Sequence, residues 1–111
     1  MNATLERIYQ YLITDSMLSC LEWHKKATSI ETTSLYRNLV IWHDQREHVI
    51  RIYYLNPPLD SKTTSLDIPD RSDADIMPII NEAKLHVLKF RKDALRLDIN
   101  LTQKGLGSID L

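Results

Sequence analysis

The stretch from Leu35 to Leu55 decides the fold, and it reads LYRNLVIW, then HDQREH, then VIRIYYL. Its outer runs are rich in β-branched and aromatic residues and its middle run is polar, which is the pattern of a β-hairpin. No Asn-Gly or Asp-Gly pair occurs in this stretch, so we expect a four-residue loop at residues 44–47 rather than a tight two-residue turn. That loop places His43 opposite His48.

The two faces of this predicted hairpin differ, because alternate side chains of a strand point to opposite sides of a sheet. The first face is aliphatic near the turn, and we expect it to meet the core. Its pairs are His43 with His48, Ile41 with Ile50, Leu39 with Ile52 and Arg37 with Tyr54. The second face is aromatic and mixed, with Arg51 near its middle. Its pairs are Trp42 with Val49, Val40 with Arg51, Asn38 with Tyr53 and Tyr36 with Leu55.

Residues 3–26, ahead of the hairpin, are predicted to be helical. Their apolar side chains recur every three or four positions, and Asn2 or Thr4 can cap the first turn. The run Thr14-Asp15-Ser16 interrupts this pattern with residues that prefer caps and turns. Residues 17–24 therefore either continue as a restarted helix or form a strand, and Cys20 is expected to be a buried thiol among apolar neighbours.

After the hairpin, residues 59–75 form a long polar connection rich in aspartate, in which Ser65–Ile68 can form a short strand. A second amphipathic helix follows, capped by Ser72 or Asp73. Residues 95–102 alternate strictly between apolar and polar side chains, which predicts a strand with one buried face. Both glycines of the chain fall in residues 103–111, which we expect to form a loose tail.

These elements predict a single α+β domain spanning residues 1–111, in the order α-β-β-α-β. The simplest packing is a two-layer sandwich with two amphipathic helices on one face of a small, mostly antiparallel sheet. Residues 27–34 join the first helix to the hairpin, either as a loop or as an edge strand. A chain of 111 residues can bury one core without metals or disulfides.

Composition and charge narrow the classes of function. The formal net charge is −1, so no global basic field attracts nucleic acid or an anionic membrane surface. With a single cysteine an internal disulfide is impossible, which favours a reducing compartment. No apolar run approaches the ~20 residues of a membrane span. We therefore expect a small soluble protein of the cytoplasm with no membrane partner.

No catalytic or cofactor motif stands out in the sequence. Gly105 and Gly107 belong to neither a dinucleotide-binding nor a phosphate-binding loop, and no nucleophile elbow occurs. We therefore predict no cofactor and no metal, and favour a non-enzymatic role over catalysis. His43 and His48 flank the turn and could act as an acid–base pair or metal ligands, although a solvated polar turn is the simpler interpretation.

The second face of the hairpin is the best candidate for a binding surface. Its aromatic and arginine side chains are of the kinds enriched at protein interfaces. The predicted partner-binding residues are Tyr36, Trp42, Arg51 and Tyr53, with Arg96 added from the last strand. Similar surfaces stack nucleic-acid bases, but the charge of this chain does not favour that partner. Packing of these residues within the monomer is a third interpretation.

The sequence thus favours a small protein–protein interaction module, such as an adaptor, inhibitor or chaperone-like protein, that is dimeric through its sheet. One alternative is a nucleic-acid-binding protein that uses the same face and the basic end of the second helix. Another alternative is a small ligand-binding protein or enzyme that uses His43 and His48.

Overall fold

The computed structural model describes residues 1–33, 38–55 and 65–89. Helix α1 comes first and is followed by a short 3-10 helix, five strands and helix α2, which covers residues 77–89. The bounds are α1 Ala3–Thr14, the 3-10 helix Leu18–Cys20, β1 His24–Lys25, β2 Ser29–Thr33, β3 Asn38–Asp44, β4 Val49–Leu55 and β5 Leu66–Pro69. Within these residues, no helix is long and apolar enough to cross a membrane.

The five strands form one antiparallel sheet in the order β1-β2-β3-β4-β5, so each strand pairs with its neighbour in the chain. The predicted α+β class is confirmed, and the five described strands all precede α2. The strand predicted after α2, at 95–102, and the tail at 103–111 lie outside the described residues. The connection at 59–75 contains β5, and 27–34 contains β2.

The hairpin forms as predicted, but its register differs by two residues. Asp44 pairs with Val49 and His43 with Ile50, so the loop is residues 45–48 and His43 does not face His48. A displacement of two residues leaves each side chain on its predicted face, because the side-chain period of a strand is two. The predicted division into an aliphatic and a mixed face therefore holds.

The cause of this register lies in the turn itself. The Asp44 carboxylate accepts hydrogen bonds from the backbone N–H groups of Arg46 (3.0 Å) and Glu47 (3.2 Å). Such a side chain caps a turn while its own backbone stays in the strand. His48 then closes the loop with a φ of 56°, a left-handed conformation uncommon outside glycine. Because Asp44 belongs to β3 and not to the loop, the pairing of β3 with β4 is displaced by two residues from the predicted register.

Helix α1 ends at Thr14, where the run Thr14-Asp15-Ser16 was predicted to interrupt it, but the chain beyond does not stay helical to residue 26: a 3-10 helix follows at Leu18–Cys20 and β1 at His24–Lys25. The Asp15 carboxylate accepts hydrogen bonds from the backbone N–H groups of Met17 (2.9 Å) and Leu18 (3.0 Å), and this cap starts the 3-10 helix. These bonds, that of Leu18 first, lower the pKa of Asp15 below its ordinary value. Cys20, the last residue of the 3-10 helix, is exposed rather than buried as predicted.

Helix α2 starts at residue 77, later than the predicted caps at Ser72 and Asp73. Instead, the Asp75 carboxylate accepts a hydrogen bond from the backbone N–H of Met77, at 3.0 Å. The two helices lie side by side, because Lys84 of α2 approaches Asp15 to 4.0 Å and lies 5.9 Å from the centre of the Tyr11 ring.

The core lies between the two helices and the first face of the sheet. The side chains of Leu5, Ile8 and Leu12 come from α1, and they are fully buried. They meet α2 and four neighbouring strands in one continuous cluster. The other main members are Ile30, Leu39, Ile41, Ile50, Ile52, Ile68, Ile79, Ile80, Ala83 and Val87. The predicted two-layer packing is thus present, with both helices on the same side.

Candidate functional site

The far face of the sheet is the side that points away from both helices. By the strand register, it carries the side chains of Glu31, Val40, Trp42, Val49, Arg51, Tyr53 and Asp67. Three of the five predicted partner-binding residues lie here, namely Trp42, Arg51 and Tyr53, and each is half-buried. The other two, Tyr36 and Arg96, lie outside the described residues. The sequence therefore placed the described members on one surface correctly.

An apolar strip of Val40, Trp42 and Tyr53 runs through this face. Val40 and Tyr53 are a cross-strand pair, and Trp42 follows Val40 on the same side of β3. Val40 is only 4% exposed, and its other cross-strand neighbour is Glu31. The strip presents two aromatic rings around a buried aliphatic side chain.

Ion pairs flank the strip on both sides. Toward β5, Arg51 binds Asp67 through two hydrogen bonds of 2.8 and 3.1 Å, and Asp44 lies 3.5 Å from the same guanidinium. The pKa of Arg51 is raised, with the hydrogen bonding to Asp67 as the largest cause. Toward β1, Lys26 binds Glu31 at 2.8 Å. The charges at the edges of the strip are therefore largely paired within the chain.

The two turn histidines meet a carboxylate that sequence reasoning did not single out. The Nε2 atom of His43 lies 2.9 Å from Oδ2 of Asp70, and Nδ1 of His48 lies 3.7 Å from the same oxygen. The side chains of His43 and Asp70 are 12% and 19% exposed, whereas that of His48 is 79% exposed. We call the cluster of Asp70, His43 and His48 the Asp70 joint. The predicted direct pairing of the two imidazoles is wrong, since His43 lies opposite Ile50.

Asp70 also connects the hairpin turn to the start of α1. Its backbone N–H donates to the carbonyl of His48 at 3.0 Å, and its own carbonyl accepts a hydrogen bond from the Asn2 side chain at 3.1 Å. The Thr4 hydroxyl donates to the next carbonyl, that of Arg71. The sequence offered no reason to choose Asp70 over the other aspartates of the 59–75 connection. Only the pairing of β5 beside β4 brings it to the turn.

The protonation of the joint follows from its geometry. The hydrogen bond with His43 is the largest cause holding the pKa of Asp70 below its ordinary value. An ionised carboxylate can only accept hydrogen bonds, so Nε2 of His43 carries the hydrogen that Asp70 receives. A carboxylate that orients an imidazole in this way is a common arrangement in sites that bind ligands or transfer protons.

His43 also borders an open groove of ≈ 550 Å³ at the end of β3. We call it the β3-end groove, and it is lined by Thr28, Trp42, His43, Asp44, Gln45 and Arg46. It lies beside the start of β2, where the backbone N–H of His43 donates to the carbonyl of Thr28, at 2.8 Å. Within residues 1–33, 38–55 and 65–89, no group of three or more His, Cys, Asp or Glu side chains is arranged to hold a metal ion.

Two features of the described residues can therefore carry a function. One is the far face with its apolar strip, and the other is the β3-end groove, which shares His43 with the Asp70 joint. Trp42 belongs to both. Comparisons of the chain with protein-family models, with curated proteins and with solved structures found no match.

Proposed function

We propose that this chain is a small non-enzymatic protein–protein interaction module that forms a homodimer through the far face of its sheet. The observation that carries the proposal is the strip of Val40, Trp42 and Tyr53, which lies on the side of the sheet opposite both helices. The chain has a single cysteine and a formal net charge of −1, which favour a place in the cytoplasm, in a reducing environment.

The composition of the strip suits a central contact. Tryptophan and tyrosine dominate the binding energy of many interfaces, and losing a central one typically costs ~2 kcal/mol or more. Such a loss weakens binding roughly 30-fold. Because the two rings of the strip are already half-buried, they bring limited side-chain freedom to an interface.

The flanking charges suit a second copy of the same chain. A two-fold interface brings the same patch of each copy together, so the patch must complement itself. The far face offers a cation and an anion on each side of the strip, Lys26 with Glu31 and Arg51 with Asp67. Because each pair combines one cation with one anion, it can face the same patch of a second copy without strong repulsion between like charges.

The nucleic-acid alternative finds less support in these contacts. The guanidinium of Arg51 is already bound by Asp67 and approached by Asp44, and a phosphate would have to displace a carboxylate to reach it. Of the basic residues near the end of α2, Lys84 lies beside Asp15. Arg91, Lys92 and Arg96 lie outside the described residues. A protein partner therefore fits the far face better.

Light scattering coupled to size exclusion, run from about 1 to 100 µM, tests the proposal in the range of common dimer affinities. We expect a dimer for the wild type and a folded monomer for Trp42→Glu. The matched control is Ile13→Glu, which places the same charge on the outer surface of α1, where Ile13 is 41% exposed. The control should remain dimeric. A wild type that stays monomeric over the whole range would remove the dimer, and loss of the dimer in both variants would move the interface away from the far face.

A further inference from the structure

We infer that the two copies of the dimer pack with their two-fold axis along β3, so that Lys26 of each copy binds Asp67 of the other. This arrangement rests on the proposed homodimer and specifies which side chains of the two copies meet. It follows from the order in which the strand register places charges and rings across the far face.

One row of side chains crosses the whole far face. Trp42 of β3 pairs with Ser29 of β2 on one side and with Arg51 of β4 on the other. Arg51 pairs in turn with Asp67 of β5, which ends the row at one edge of the sheet. At the other edge lies Lys26, whose backbone N–H donates to the Ser29 carbonyl at 2.8 Å. The row thus runs from a cation through a hydroxyl, an indole and a second cation to an anion.

The Lys26 side chain belongs to this face because successive side chains of an extended segment alternate. Its neighbour Lys25 points to the helix side, where it binds Glu6 of α1 at 2.7 Å. Lys26 binds Glu31 of the far face at 2.8 Å. The side chains of Lys26 and Asp67 are 59% and 38% exposed, so both can take a further partner.

A two-fold axis along β3 lays this row against its own reverse, since β2 then faces β4 and the β1 side faces β5. Lys26 meets Asp67 of the second copy, and the Ser29 hydroxyl meets the guanidinium of Arg51. The two Trp42 rings lie together at the axis. No two charges of the same sign face each other in this row, which is the complementarity that a self-matching interface needs.

The neighbouring row is also complementary to its reverse. Val40 lies at its centre, between Glu31 of β2 and Tyr53 of β4. Reversal places each Glu31 carboxylate opposite the Tyr53 hydroxyl of the other copy, which is a hydrogen-bond donor. Asp44 of β3 also lies near the axis, but it is only 7% exposed and accepts two backbone hydrogen bonds of the turn.

An axis across the strands suits these charges less well. Each strand would then face the same strand of the second copy, because such an axis leaves the strand order unchanged. The two Lys26 side chains would gather at one edge of the dimer and the two Asp67 side chains at the other. Like charges would be brought together at both edges, so the far face favours the axis along β3.

The test combines two charge-reversed variants, Lys26→Glu and Asp67→Lys. Alone, each variant sets like charges against each other at both contacts of the dimer, and dimerisation should weaken roughly tenfold or more. A one-to-one mixture restores opposite charges at both contacts. Light scattering should therefore return the dimer mass at a concentration where each variant alone is a monomer. Each variant also loses a pair within its own chain, but that loss remains in the mixture, so recovery reports the contact between copies.

The matched control is Lys89→Glu, the same change of charge on the exposed end of α2, and it should dimerise like the wild type. If the two far-face variants also dimerise like the wild type, or if their mixture does not recover, this arrangement is overturned while a dimer through the far face remains. A wild type that is monomeric at every concentration overturns the proposed function and this arrangement together.

Cysteine cross-linking locates the axis independently. In a Cys20→Ser background, Asn38→Cys lies on β3, and Leu55→Cys lies directly opposite it on β4. An axis along β3 brings the two copies of residue 38 together, whereas two strand spacings hold the copies of residue 55 about 10 Å apart. That separation is too long for a disulfide. We expect oxidation to cross-link Asn38→Cys far more completely than Leu55→Cys, and equal or reversed yields would overturn the arrangement.

Discussion

Asp67 and Asp70 lie three positions apart in and just after β5, and both bind a side chain from the β3–β4 hairpin. Asp67 binds Arg51 on the far face with its side chain 38% exposed, and Asp70 binds His43 with its side chain 19% exposed. The Arg51–Asp67 pair lies on the surface, with Asp44 3.5 Å from the same guanidinium, whereas the Asp70 joint is tied to the hairpin turn and to α1. Both carboxylates carry the same charge. The comparison teaches that the structural role of a carboxylate depends on its burial and on how many elements its residue connects through hydrogen bonds.

The largest effect should come from the core beneath the joint. Ile50 is fully buried and pairs with both His43 and Ile68. Ile50→Ala should lower the free energy of unfolding by about 2–5 kcal/mol, because it removes buried methyl groups and leaves a cavity. Its neighbour Val49 is half-buried on the far face, and Val49→Ala should cost less than about 1 kcal/mol. Urea denaturation measures both, and equal losses would mean that the far face is packed as a core.

Loss of the Asp70 carboxylate should come next. Asp70→Asn keeps the size of the side chain but removes the charge that His43 and His48 face. We expect a clear loss of stability, smaller than that of Ile50→Ala and larger than that of Asp67→Asn. Thermal unfolding of the three variants gives the order. If Asp67→Asn proved as costly as Asp70→Asn, the distinction between joint and surface pair would fail.

The contribution of Asp70 should depend on pH in a defined direction. Its pKa in the folded protein is lowered, with the His43 hydrogen bond as the largest cause. A lowered pKa stabilises the fold above the ordinary aspartate value of about 3.9, and this contribution is lost as the pH falls through the folded value. The stability difference between the wild type and Asp70→Asn should therefore be steady above about pH 5 and shrink below about pH 4. Urea titrations from pH 3 to 7 measure it, and a difference that grows toward acid would contradict this assignment.

The smallest effect should be that of Asp67→Asn on the monomer. Exposed ion pairs contribute little, because water screens them and both side chains lose freedom. We expect a change close to zero, and any change should fade in 1 M salt, where the screening length is about 3 Å. Repeating the melts with and without salt checks this. A loss that persists at high salt would show that Arg51 depends on Asp67 for its position.

The same contrast explains how much the sequence could predict. Many residues of a strand or helix contribute to its periodic pattern of apolar side chains. The α+β class and the two faces of the hairpin could therefore be predicted from that pattern. The pairing register depended on one side chain, Asp44, which caps the turn with its own strand residue. A single capping contact of this kind leaves no periodic signal. The end of α1, in contrast, was indicated by the run Thr14-Asp15-Ser16, whose residues prefer caps and turns.

The candidate site divides in the same way. Trp42, Arg51 and Tyr53 share a face because alternation places them there, and the sequence found them. Asp70 was missed because its contact with His43 spans 27 positions and depends on where β5 pairs. No sequence pattern distinguishes Asp70 from the other aspartates of the 59–75 connection.

The connection between α1 and Asp70 has a consequence for the order of folding. The sheet is assembled from consecutive strands, so its contacts are close in sequence and can form early and fast. The Asn2 side chain, in contrast, bonds a carbonyl 68 positions away. Closing so long a loop costs entropy that only later contacts repay. During synthesis α1 emerges before residues 70–74, so the bond from Asn2 to Asp70 can form only after all five described strands have been made.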